Sequence, residues 1–151
     1  MAARSAAPLS PRVSAPDLPG SLDQASSLRA RSDLLGVALT ELTGDVDAAH
    51  GRLVESRMLA AALGQLDLTG ATLVDVLIDE LRAVQLTARD ATWRNVEVAG
   101  GRIATLDGLR AQWDSVVFRG VHIGYLSLPP AGLADVMFVD CRFGSIDLPQ
   151  A

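Results

Sequence analysis

Four side chains able to grip an anion recur at a fixed interval: Arg82, Arg102, His122 and Arg142, each twenty residues after the last. A row of guanidinium and imidazole donors could hold phosphates or the acidic surface of a partner. The simpler reading is a solvated face, because Glu80 and Asp140 stand two residues upstream of Arg82 and Arg142 and would neutralise them. A second set, Asp67, Thr87, Asp107, Ser127 and Asp147, shares the interval. Carboxylates and hydroxyls at turns bond nearby backbone amides, so these residues read as structural. A third set, Glu55, Asp75, Asn95, Ser115 and Asp135, is mildly acidic and reads as another turn column. Chemistry beyond gripping finds little support. His50 and His122 lie more than three such intervals apart and cannot share a metal, and Cys141 is the single cysteine. There is no Gly-rich phosphate loop, paired-cysteine motif or nucleophile elbow. The expectation is a chain with no catalytic residues, no cofactor site and no metal site, and so not an enzyme.

The elements that must carry these residues announce themselves through a shorter period. From Val46 to Leu148 the chain repeats every five residues, and two of the five registers never carry a charge. One runs Val46, Gly51, Ser56 and onward through Val136, Cys141 and Ile146, and the other runs Ala48, Leu53, Met58 and onward through Phe138, Phe143 and Leu148. All 22 charged residues of this span fall in the other three registers, so both uncharged registers should be buried. A five-residue period fits neither a helix nor a flat strand. Two inward positions spaced by two, followed by a polar turn and repeated four times, make a closed four-sided coil. Residues twenty apart then stack, and the columns are homogeneous: Ala71, Ala91, Ala111; Val76, Val96, Val116, Val136; Leu66, Leu86, Leu106, Leu126. Trp93 and Trp113 are neighbours in one inward column and should stack as filler of the shaft. Phe118 and Phe138 share another, and truncating either should cost roughly 3–5 kcal/mol.

The units Leu66-Asp67-Leu68-Thr69-Gly70, Ala71-Thr72-Leu73-Val74-Asp75, Asp140-Cys141-Arg142-Phe143 and Ile146-Asp147-Leu148 resemble those of the pentapeptide-repeat family, which read roughly Ala-Asp/Asn-Leu-x-x. The likeness covers about two-thirds of the chain. It departs from the family pattern where Asp precedes the central residue only at Asp47, Asp67, Asp107 and Asp147, and where Trp93 and Trp113 replace the usual Leu or Phe. The resemblance implies an all-β fold, a right-handed quadrilateral β-helix. Five or so coils would make a rod of roughly 25 Å.

Three segments follow. Residues 1–31 read as a disordered lead-in and linker, rich in Ala, Pro and Ser up to Gly20. Residues 32–45 form an irregular partial repeat or N-terminal cap. Within them Ser32-Asp33-Leu34 and Val37-Ala38-Leu39 are one residue out of register, and a loop near Thr43-Gly44-Asp45 would reset the frame. Residues 46–151 form the pentapeptide-repeat β-helix. Leu53 to Leu63 has helical composition, but its inward registers continue the later columns and place it in the first coil, with a capping helix as the alternative. Leu148 falls in mid-side, with Pro149, Gln150 and Ala151 after it. Stacked coils need a polar cap or a partner at each end. The expectation is a two-fold homodimer through the C-terminal coil at Phe138, Phe143, Ile146 and Leu148, or else a longer natural chain.

No apolar run is long enough to span a membrane and no signal-peptide core is present, so the expected location is cytoplasmic. All thirteen basic residues are Arg, which with abundant Ala, Gly and Asp suggests a bacterial source. The expected function is a non-catalytic protein-binding or scaffold rod with an unspecified protein partner. The alternative, drawn from the resemblance, is a DNA mimic that binds a type II topoisomerase such as gyrase. Mimicry needs continuous negative charge, whereas the repeat carries 13 acidic and 9 basic residues. Three arginines in one column would release few counterions, which argues against nucleic-acid binding.

Overall fold

The computed structural model describes residues 15–40, 42–59, 61–128 and 132–147. Strands β1 (Asp23–Ala25), β2 (Asp33–Leu35), β3 (Val37–Leu39), β4 (Thr43–Asp47), β5 (Arg52–Leu59) and β6 (Ala62–Asp67) lead into the long strands β7 (Thr72–Thr87) and β8 (Thr92–Asp107). Then follow β9 (Gln112–Arg119), β10 (His122–Ser127), β11 (Leu133–Val139) and β12 (Arg142–Asp147). Every pairing is parallel, and the coils stack into a β-solenoid of about five turns. Among the described residues there is no helix, so the helix-rich composition of Leu53 to Leu63 yields to the ladder that β5 and β6 form with β7. Tertiary pairing overrides propensity there.

The stacking interval is twenty residues: Leu73 pairs with Trp93 and Trp93 with Trp113, while Val98 pairs with Phe118 and Phe118 with Phe138. Turns follow the five-residue repeat. Positive φ recurs at Glu55, Asp75, Asn95, Ser115 and Asp135, again at Glu80, Gly100, Gly120 and Asp140, and again at His50, Gly70, Asp90 and Arg110. The last set closes tight turns, with Ala71 N donating to Leu68 O at 3.0 Å and Ala111 N to Gly108 O at 3.0 Å. A residue of positive φ in the third position is what a type II turn requires. The aspartates before these turns hold them: Asp67 Oδ1 accepts from Thr69 N at 2.9 Å, and Asp107 Oδ1 from Leu109 N at 3.1 Å. That is the structural role expected of this column. At the remaining corner, near Gln65, Gln85, Thr105 and Tyr125, no residue adopts positive φ.

Both uncharged registers line the shaft. Their described members from Val46 to Leu128 are buried, except that Gly101 is half-buried. In the last coil Leu133, Val136, Phe138, Cys141 and Phe143 are only partly buried, and Ile146 is 49% exposed. Their counterparts one coil below, Phe118, Ile123 and Leu126, are 0–1% exposed. The difference lies in stacking, since β11 pairs only with β9 and β12 only with β10 among the described strands. Trp93 and Trp113 stack at 4.7 Å with planes 11° apart, and both indole N–H groups are buried without an acceptor. Cys141 donates to Phe118 O at 3.2 Å and behaves as a small core filler.

The N-terminal end departs from the sequence boundaries. Among the described residues, pairing begins at β1, inside the segment assigned to the lead-in, with Asp23 opposite Val37. Between β1 and β3 the interval is fourteen, and in the coil that follows it is nineteen, as in Asp33 opposite Arg52 and Thr43 opposite Ala62. It returns to twenty at Val46 opposite Leu66 through a bulge that sets Gly64 and Gln65 against Asp45. Asp45 Oδ1 accepts from Gln65 N at 3.0 Å, in the space a Cβ on Gly64 would fill.

Ser56 explains the one hydroxyl at an inward position of these early coils. It is fully buried, donates to Val54 O at 2.8 Å and accepts from Val37 N at 3.1 Å. Ser56→Ala should therefore cost about 1–3 kcal/mol, because the Val37 N–H loses its acceptor in the core. Urea denaturation checks this, and a neutral result would mean the amide finds water.

Candidate partner-binding face

The register places the four predicted residues in a single column. Ala62 pairs with Arg82, Arg82 with Arg102, Arg102 with His122 and His122 with Arg142. Successive members are one coil apart, about 4.8 Å along the axis. The three arginines are exposed and His122 is half-buried. Arg102 Nη2 lies 3.2 Å from His122 Nδ1. Arginine can only donate, so Nδ1 accepts and the proton of the neutral ring is on Nε2. The column's fixed charges are the three guanidinium groups.

The expected neutralisation does not occur. Among the described residues, Arg82, Arg102 and Arg142 form no ion pair. The Glu80 carboxylate lies instead over Gly100, in the space a Cβ there would take. Positive φ at Glu80 and Asp140 makes them corner residues, one turn away from the arginine column. Elsewhere the basic residues are held: Arg57 meets Asp79 at 2.6 Å, Arg89 meets Asp107 at 2.6 Å, and Arg119 meets Glu97 at 3.8 Å. Arg29, Arg31 and Arg94 also lack an ion pair among the described residues, but no two of them share a column.

Arg110 and Asp90 show what pairing across coils does. Nε and Nη2 of Arg110 donate to the two carboxylate oxygens at 2.7 and 3.0 Å. These hydrogen bonds, with the guanidinium charge, hold the Asp90 carboxyl below its usual range. A depressed folded value adds stability above the unfolded pKa and loses it as pH falls through the folded one. A carboxyl titration by NMR should give Asp90 a midpoint below an ordinary aspartate, and Arg110→Ala should move it up. An unmoved midpoint would mean the pair is not formed in solution.

A feature not foreseen borders the basic column. Ala62, Leu63, Gly64, Ala83, Val84 and Ala104 line a shallow depression of about 490 Å³ beside Arg82 and Arg102. Val84 is 64% exposed at its edge. The sequence signal was an outward column of Gly64, Val84, Ala104, Gly124 and Gly144, small or apolar at every coil.

At the last coil, Phe138 meets Phe143 edge-on at 5.3 Å, and both are partly exposed beside Ile146. Leu148, the fourth residue expected at this end, lies outside the described residues. Among the described residues, no group of three or more His, Cys, Asp or Glu could hold a metal ion, and no helix is long and apolar enough to cross a membrane. Comparison with models of protein families, with curated proteins and with solved structures returns no match for the chain.

Proposed function

We propose that this chain is a non-catalytic rod of the pentapeptide-repeat type, from the bacterial cytoplasm, that works by binding other proteins along its flat sides. The observation that carries this reading is the alignment of outward side chains. The parallel ladders hold them in register at one-coil spacing on a stiff support, which lowers the ordering cost that binding must meet. DNA mimicry is less well supported. Asp79, Asp90, Glu97 and Asp107 are each engaged by an arginine, so their negative charge is interrupted where a mimic needs it continuous. The test is capture from a bacterial lysate, paired with a gyrase supercoiling assay. A specific retained protein with unchanged supercoiling is expected. Retention no better than bare resin would overturn the reading, and supercoiling inhibited in competition with DNA would replace it with mimicry.

A second copy of the chain is also proposed as a partner. The last described coil leaves the apolar side chains of Phe138, Phe143 and Ile146 partly open above unpaired strand edges. Two such ends can cover each other about a two-fold axis. Sedimentation at micromolar concentration should show a dimer that Ile146→Asp dissociates, and a wild-type monomer would contradict it.

A further inference from the structure

We propose that the side bearing Arg82 and Arg102 docks an extended acidic peptide segment that carries an apolar side chain. The proposal rests on the binding-rod reading and names the surface and the chemistry of its partner. Two independent features meet there. The first is charge: three exposed arginines share one column without an ion pair among the described residues, on a chain of net charge -5. Elsewhere on the solenoid Arg52, Arg57, Arg89, Arg110 and Arg119 are each engaged by an acid on a neighbouring coil. The second is shape: the depression beside Arg82 and Arg102 has an apolar floor of Leu63 and Ala83 and an exposed rim at Val84.

The two features suit one occupant. An extended segment laid along the axis presents alternate side chains about 6.6–6.8 Å apart on one face. Long arginine stems can adjust to that spacing from coils about 4.8 Å apart. Carboxylates of the segment would meet Arg82 and Arg102 in charge-assisted, bidentate bonds. The next side chain on that same face, if aliphatic, would lie over Val84 beside the apolar floor of Leu63 and Ala83. Small residues at Ala104 and Gly124 let the segment's backbone approach the wall. A nucleic acid fits less well. Three charges release few counterions, and Tyr125 is the one large aromatic exposed among the described residues, where base stacking needs a series.

The probe is a short fluorescein-labelled peptide of glutamates around one leucine, followed by fluorescence anisotropy on the full chain. Saturable binding that weakens with added salt is expected. Arg82→Glu combined with Arg102→Glu should weaken it about tenfold or more, equivalent to about 1.4 kcal/mol. Val84→Ser, or a peptide with serine in place of leucine, should weaken it to a smaller extent. All three positions are exposed, and circular dichroism verifies that the variants fold. Absence of saturable binding, equal binding by the charge-reversed variant, or tighter binding of an oligothymidylate of matching length would each overturn the proposal. Lysate capture separates the two readings. A partner retained undiminished by the charge-reversed chain sinks the docking face alone, whereas no partner for either chain sinks the rod reading as well.

Discussion

Phe118→Ala is expected to destabilise the chain by about 3–5 kcal/mol, the range for truncating a fully buried phenylalanine. The ring is 0% exposed and lies 5.0 Å from Phe138 and 5.6 Å from Trp113, between centroids. Its column is walled by strands hydrogen-bonded to the coils below and above, so the shaft cannot close around the missing ring. A cavity that cannot collapse places the cost high in the range. Phe138 shares the column but is partly exposed at the last coil, and its truncation should cost less than half as much. The sequence reading treated the two as equal. It could not see that one is fully buried and the other partly exposed. Urea denaturation of both variants checks the order, and a loss below about 1 kcal/mol for Phe118→Ala would mean the ring is not core.

Gly101→Ala should lose at least about 2 kcal/mol, from backbone strain and overpacking together. On sequence grounds it looks like an improvement. Gly101 occupies an inward register between Leu81 and Val121, where added volume would seem to fill the shaft. The backbone decides otherwise. Gly101 has φ of 92°, a region that costs any residue with a Cβ. A Cβ there would also overlap the carbonyl oxygen of Leu81 and come within 2.8 Å of its amide nitrogen. These are ladder atoms, with no flexible side chain to move aside. Gly100, at φ of 71°, occupies the corner that Glu80 and Asp140 occupy in other coils, so the extra left-handed residue is Gly101 itself. Thermal and chemical denaturation test the sign, and a more stable Gly101→Ala would contradict the backbone geometry described here.

Much of the fold was legible because it is periodic. The uncharged registers at Leu73, Trp93 and Trp113, and at Ile78, Val98 and Phe118, predicted the stacking partners that the ladders contain. The frame shift between Leu39 and Val46 also left a trace, in hydrophobic pairs one residue out of step. What periodicity could not give was anything set by direction. Glu80 and Asp140 are two residues from an arginine in sequence, yet a corner of positive φ turns them onto another side. The ion pairs that form instead join residues about a coil apart, as Asp90 and Arg110 do. Val84 was legible as an outward apolar residue but not as the rim of a depression, because that depends on the small residues stacked beside it. The early strand β1 was hidden for another reason. With an interval of fourteen and only three residues, it falls below what a five-residue template detects.

The basic column, the apolar depression and the aromatic file all depend on one claim, that residues twenty apart lie side by side. Nuclear Overhauser effects on the isotope-labelled chain test it directly. Contacts are predicted between the methyl groups of Val76, Val96 and Val116 and between the ring protons of Trp93 and Trp113, joined by parallel-strand contacts across each pair. A spectrum in which these pairs show no contact, with helical contacts three and four residues apart in their place, would contradict the solenoid and every inference built on it.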